Sequence, residues 1–153
     1  MRTHVFIVDG TLSRLAPGQE TNAGLFYKLL AGMPARRDVT LGYDPGIQGK
    51  GFWKWVNVAS GFEINRSIIA GFRTLSQRYR PGDKIMLFGF SRGAYAVRSI
   101  AGMIAKMGLL RHDVVTPARV QQALHYYQTD ELTDNGAKFK IRFGHRQPVR
   151  IEM

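Results

Sequence analysis

The stretch Lys84-Ile-Met-Leu-Phe-Gly-Phe-Ser-Arg-Gly-Ala-Tyr95 joins an apolar run to a serine held between two glycines. Ile85 to Phe88 reads as a short buried strand. It runs directly into Gly89-Phe90-Ser91-Arg92-Gly93. Beyond that, Ala94, Val97, Ile100, Ala101 and Ile104 recur at helical spacing. Strand, sharp turn and helix, with one serine at the apex, is the context that separates a nucleophile elbow from a bare G-x-S-x-G pattern. The glycines follow from sterics, because a Cβ at Gly89 or Gly93 would clash where the backbones close on each other. The bland alternative is an ordinary βα turn whose serine caps the helix.

Upstream, Val5-Phe6-Ile7-Val8 is a continuous apolar run stopped by Asp9-Gly10-Thr11, as expected of a buried parallel strand ending in a turn. Thr21 and Asn22 are candidate N-caps for a helix that carries Leu25, Phe26, Leu29, Leu30 and Met33 on one face and ends at Gly32 and Pro34. Asp38 to Tyr43 alternates and predicts a second strand, closed by the turn Asp44-Pro45-Gly46. Residues 46–60 form a glycine- and aromatic-rich loop with Trp53 and Trp55, for which core packing is the plain reading and a lid or lipid-facing surface the functional one. Ile64, Ile68, Phe72, Leu75 and Tyr79 mark an amphipathic helix over 61–80, ended by Pro81-Gly82-Asp83.

Downstream, the elbow helix runs to about Lys106 and stops at Gly108. Thr116-Pro117 opens a shorter helix with Val120, Ala123, Leu124 and Tyr127 on one face. Pro148-Val-Arg-Ile-Glu-Met153 alternates like the start of a further strand, so the sheet is expected to be cut there. Strands alternating with helices predict an α/β domain, a mostly parallel sheet with helices on both faces. Residues 1–153 are then one domain, truncated at its C-terminus. The functional end of such a sheet is the carboxyl end of its strands.

With 153 residues, 44% of them hydrophobic, the chain can build one core. There are no cysteines, which removes disulfides, thiolate metal sites and cysteine nucleophiles. No H-x-x-x-H and no acidic cluster suggests a metal site, and no cofactor is expected. The first residues are too short an apolar run for a signal peptide. No run approaches the ~18 apolar residues of a membrane span. The chain is therefore expected to start in the cytoplasm. Its net charge is +11, from 22 Lys and Arg against 11 Asp and Glu, denser at Lys138, Lys140, Arg142, Arg146 and Arg150. A solvated basic face is the plain reading and an anionic membrane surface the sharper one. No nucleic-acid-binding motif is present, so nucleic acid is not expected as a partner.

Phe6-Ile-Val-Asp-Gly-Thr11, Tyr43-Asp-Pro-Gly46, Tyr79-Arg-Pro-Gly-Asp83 and Phe88-Gly-Phe-Ser-Arg-Gly-Ala-Tyr95 together resemble an α/β-hydrolase-like family. So do Arg98, Ala101-Gly102-Met103 and Val149-Arg-Ile-Glu-Met153. This family was long catalogued as a domain of unknown function, and it includes the lipase and phospholipase effectors of type VI secretion systems. The resemblance implies a serine esterase with a Ser…Asp…His triad, a lipid or other acyl-ester substrate, export by a secretion system, and an immunity or secretion-system partner protein. Domains of the family run longer, with the triad Asp and His beyond the strand at which this sequence ends.

Ser91 is then the expected nucleophile, and a serine hydroxyl needs an adjacent base. The N–H of Arg92 is the expected first oxyanion donor, and Gly10 or Thr11, after the first strand, the second. Of His4, His112, His125 and His145, only the last three follow Ser91, as the order Ser…Asp/Glu…His requires. His145 after Asp130 or Asp134 fits that order but sits in a basic segment, and His125 reads as packing. The acid and base are expected beyond Met153. Arg92 and Arg98 could hold a phosphate headgroup or make internal ion pairs, the latter being favoured. The reading from a different class is a catalytically dead, truncated module that binds phospholipid or a protein partner through its basic surface.

Overall fold

Strand β1 (Thr3–Val8) is buried along nearly its whole length and forms the middle of the sheet. β2 (Val39–Asp44) and β3 (Lys84–Gly89) pair with it on either side, both parallel, in the order β2-β1-β3. Val5 lies beside Leu41 and Met86, and Phe6 beside Gly42 and Leu87. A strand flanked on both edges and both faces must be apolar throughout, which is why Val5-Phe6-Ile7-Val8 does not alternate. This computed structural model describes residues 1–10, 13–46, 62–129 and 146–147.

Four helices are present among the described residues: α1 (Asn22–Gly32), α2 (Phe62–Arg78), α3 (Arg92–Met107) and α4 (Pro117–Gln128). α1 covers one face of the sheet, where Val5, Ile7 and Ala23 pack with Phe26, Tyr27, Leu30 and Leu41. The opposite face carries Phe6 and Val8 under α2 and α3, whose Ile68, Phe72, Leu75, Ile100 and Met103 fill the main core. α4 adds Val120, Ala123 and Leu124 to the same cluster. Each such side chain contributes about 1.5–3 kcal/mol when fully buried. The chain is thus a mixed α/β structure with a parallel sheet between helical layers.

The predicted caps form. The Thr21 and Thr116 hydroxyls accept from the N–H groups of Gly24 and Arg119, and Gly108, at φ 71°, ends α3. One short pairing has no signature in the sequence. β4 (Leu109–Leu110) lies antiparallel to β5 (Arg146–Gln147), and Leu110 N–H donates to the buried Ser76 hydroxyl at 3.3 Å. The strand expected at 148–153, the tryptophan loop and most of the basic patch lie outside the described residues.

At the amino end of the sheet, His4 is buried and bridges Thr40 Oγ1 (2.7 Å) and Asp83 Oδ2 (3.1 Å). Asp83 also accepts from the N–H groups of Arg2 and Arg80. Burial pushes the Asp83 carboxyl up, but these donors outweigh it and hold the group below its ordinary value. This cluster ties all three strand starts together.

Two expectations are corrected. β3 is not buried on both faces: Met86 is 47% and Phe88 38% exposed. The reason is its place at the edge of the described sheet, where α1 reaches it only through Phe26, whose ring lies 4.6 Å from that of Phe88. The α1 residues read as one face also divide. Phe26 and Leu30 pack inward, whereas Leu25, Leu29 and Met33 form an exposed stripe on a flank that no described element covers.

Candidate active site at the strand-to-helix turn

Ser91 follows the carboxyl end of β3 by two residues and immediately precedes α3. Its backbone adopts φ 54°, ψ −123°, and it is the one non-glycine residue with positive φ among the described residues. Such a conformation costs about 1–3 kcal/mol and persists only where the surroundings enforce it. The enforcement is visible. Phe90 N–H donates to the Val8 carbonyl, while Gly93 and Ala94 N–H turn back onto the carbonyls of Phe90 and Ser91. A Cβ on Gly89 would lie 2.7 Å from Ala94 Cα, and one on Gly93 would lie 2.6 Å from the Asp9 carbonyl oxygen. Both glycines are therefore required by close backbone approach, as the sequence predicted.

Ser91 is the N-cap residue of α3, yet its side chain makes no capping hydrogen bond to the helix. Ser91 is instead exposed at the apex. The N–H of Arg92, first residue of α3, meets no backbone acceptor among the described residues. A free N–H at a 16-residue helix start carries partial positive charge beside the serine. The arrangement offers an accessible hydroxyl and one backbone donor, which are two parts of an acyl-transfer site.

The β1–α1 turn comes alongside. A Cβ on Gly10 would stand 3.3 Å from Ser91 Cβ and 3.0 Å from the Phe90 ring. Yet the Gly10 N–H donates to Asp9 Oδ1 at 2.7 Å, and the Gly10 carbonyl accepts from the Ser13 hydroxyl at 3.0 Å. Gly10 is therefore spent as an oxyanion donor in this arrangement. Thr11, the other residue expected there, lies outside the described residues.

Asp9 is the residue sequence reasoning passed over as a plain turn. Its carboxylate is buried at 1% exposure and accepts from Gly10 N–H and the Thr21 hydroxyl (2.6 Å) on one oxygen, and from the Tyr43 hydroxyl (2.7 Å) on the other. Burial works to raise its pKa, but the hydrogen bonds from Thr21, Tyr43, Gly10 and Ser13 outweigh burial and hold it below the ordinary value. Burial, and then the bond to Asp9, push the Tyr43 phenol far up, so it stays a donor. Tyr43 in turn stacks on Tyr27 of α1, ring centroids 4.4 Å apart. A signal existed: an Asp at a strand end followed by Gly, with an N-cap Thr and a strand-end Tyr able to converge on it. Asp44, by contrast, is structural as expected, accepting from Gly46 N–H at 2.8 Å.

No hydrogen bond links Ser91 to a histidine among the described residues. His4 sits at the other end of the sheet, about 20 Å away at roughly 3.3 Å per residue. His112 and His125 are exposed on the chain beyond α3. His145, Asp130 and Asp134 lie outside the described residues. The favoured ion pairs of Arg92 and Arg98 are not found: neither makes one among the described residues. No group of three or more metal-ligating side chains occurs among the described residues either. A hollow between Val8, Asp9, Arg92 and Gly93 has room for about one water, so an acyl chain would lie outside it.

Residues 2–148 match the family model described as T6SS, phospholipase effector Tle1-like, catalytic domain. An uncharacterised protein of Saccharomyces cerevisiae is 32% identical over a match that covers 69% of this chain and 18% of that relative. The chain thus spans under a fifth of that relative's length. No solved structure matches the chain. Among the described residues no helix is long and apolar enough to cross a membrane. The chain belongs to the Tle1-like phospholipase effector catalytic-domain family.

Proposed function

We propose that this member of the family is a serine hydrolase of acyl esters, phospholipids being the substrate that the family description names, with Ser91 as its nucleophile. The observation that carries the reading is Ser91 itself: a strained, exposed serine, uncommitted to its helix, at the carboxyl end of a parallel strand. Ser91 Oγ passes its proton to the general base, which hands it on to the leaving alcohol, and attacks the ester carbonyl to form a tetrahedral oxyanion. The Arg92 N–H and the start of α3 stabilise the charge. Collapse expels the alcohol and leaves an acyl-serine, which water then hydrolyses. The β1–α1 turn supplies the second donor. With the Gly10 N–H spent on Asp9, Thr11 carries the next N–H in that turn. The domain is of α/β-hydrolase type and incomplete as described, because β3 presents an uncovered apolar face where a parallel sheet requires neighbours. The acid and base that Ser91 needs come from residues outside those described. An anionic membrane surface, a secretion-system component and an immunity protein are the partners this function calls for.

One observation favours a second reading. None of the described histidines serves Ser91, so the chain by itself could be a non-catalytic module that holds phospholipid on its basic surface. A fluorophosphonate probe separates the two. The test is labelling of Ser91, located by peptide mass, in this chain and in the full-length product of its gene. Labelling of either form supports the hydrolase. Labelling of neither, together with no acyl-ester hydrolysis, sinks it.

A further inference from the structure

The geometry points to Asp9 as the positioning residue of this site, an inference that rests on Ser91 being the nucleophile. An ionised carboxylate buried at the end of the central strand is costly unless its acceptor sites are filled. Here they are filled by donors from three elements. Gly10 comes from the β1–α1 turn, Thr21 is the cap of α1, and Tyr43 is near the end of β2. Thr21 uses the same oxygen to accept from Gly24 N–H, so the carboxylate is wired directly to the start of α1.

Both carboxylate oxygens accept hydrogen bonds, and none of the donors is Ser91 or a histidine. What Asp9 fixes is Gly10, and Gly10 is the residue packed against the Phe90 ring and Ser91. The clamp on its N–H is matched by the Ser13 hydroxyl on its carbonyl, so both polar ends of one residue are held by hydrogen bonds. Any slackening of Asp9 is therefore transmitted to the wall that the Gly10 backbone forms beside Ser91 and to the turn that would carry the second oxyanion donor. A misplacement of about 1 Å in such a wall lowers rates by up to about 10²-fold without a change in substrate docking.

The experiment measures fluorophosphonate inactivation of Ser91 in the form of the protein labelled above, below the melting temperature of every variant. Asp9→Ala is expected to lower the limiting inactivation rate about 10²-fold with the probe's binding constant unchanged. Asp9→Asn is expected to recover most of that rate. Its Oδ1 can still accept from Gly10 and Thr21, and its Nδ2 can donate to the Tyr43 oxygen. Tyr43→Phe, which removes one donor and leaves the clamp on Gly10, is expected to slow labelling a few-fold and serves if Asp9→Ala does not fold. Folded Asp9→Ala labelled at the wild-type rate would overturn the inference, and so would Asp9→Asn as slow as Asp9→Ala, or Tyr43→Phe at the wild-type rate. Wild type unlabelled in both forms removes the hydrolase reading and this inference with it. Labelled wild type with indifferent Asp9 variants removes this inference alone.

Discussion

Gly93 is packed against Asp9 so closely that a Cβ there would stand 2.6 Å from the Asp9 carbonyl oxygen and closer still to that of Val8. The start of α3 and the end of β1 are thus locked backbone to backbone. This contact, more than any side chain, aims α3 at the sheet and sets Ser91 beside Gly10. Gly93→Ala is expected to force the helix off the strand, costing about 1–3 kcal/mol as overpacking and more if the turn rearranges. A urea titration reads this as a lower midpoint. An unchanged midpoint would mean the approach is looser than described.

Ser91 tests strain against function. Glycine tolerates φ 54° freely, whereas serine does not. Ser91→Gly is expected to raise stability by about 1 kcal/mol and to abolish fluorophosphonate labelling. Ser91→Ala should abolish labelling without that gain, because alanine keeps a Cβ. A Ser91→Gly protein no more stable than Ser91→Ala would argue that the turn is unstrained.

Much of this was legible in the sequence, for reasons that particular residues make plain. The tight strand-to-helix turn was readable because Gly89 and Gly93 answer a local steric demand within five residues of sequence. Caps at Thr21 and Thr116 were readable because they act over three residues. The role of Asp9 was not, because its donors Thr21 and Tyr43 lie 12 and 34 residues away and meet it only in the folded sheet. The exposed side of β3 was equally hidden. Ile85 to Phe88 is as apolar as a central strand, and only the order β2-β1-β3 reveals that it stands at the edge of the described sheet.

Acid should loosen the fold through two carboxylates. Asp9 and Asp83 both have pKa values below the ordinary 3.8 in the folded chain. A depressed folded value means that the stabilisation is complete above the unfolded value and is lost as pH falls through the folded one. Stability is therefore expected to be flat in this respect above about pH 5 and to fall below pH 4. Urea midpoints from pH 6 to pH 2 measure it. Asp83→Asn and Asp9→Asn should each start lower and show a shallower decline, since neither amide titrates. A decline as steep as wild type in both variants would place the acid sensitivity elsewhere.

The uncovered side of β3 sets the solution behaviour of the isolated chain. Met86 and Phe88 are partly exposed on the side of the sheet where α1 packs on β1 and β2 and meets β3 through Phe26. Leu29, at 67% exposure, stands with Leu25 and Met33 on α1. The Phe26–Phe88 contact places that helix beside β3. An apolar surface next to a free strand edge is a template for association. Against it works the net charge of +11, which repels like copies over roughly 8–10 Å at moderate salt. Association should therefore strengthen as salt screens that repulsion, the reverse of an assembly held by ion pairs. Sedimentation of the chain across concentration and ionic strength is expected to show species larger than a monomer, favoured by salt. Met86→Lys and Leu29→Lys place charge on the patch without touching the core, so each should shift the distribution toward monomer while changing folding stability by no more than about 0.5 kcal/mol. A wild-type chain that stays monomeric at every salt concentration would show that this face does not drive association.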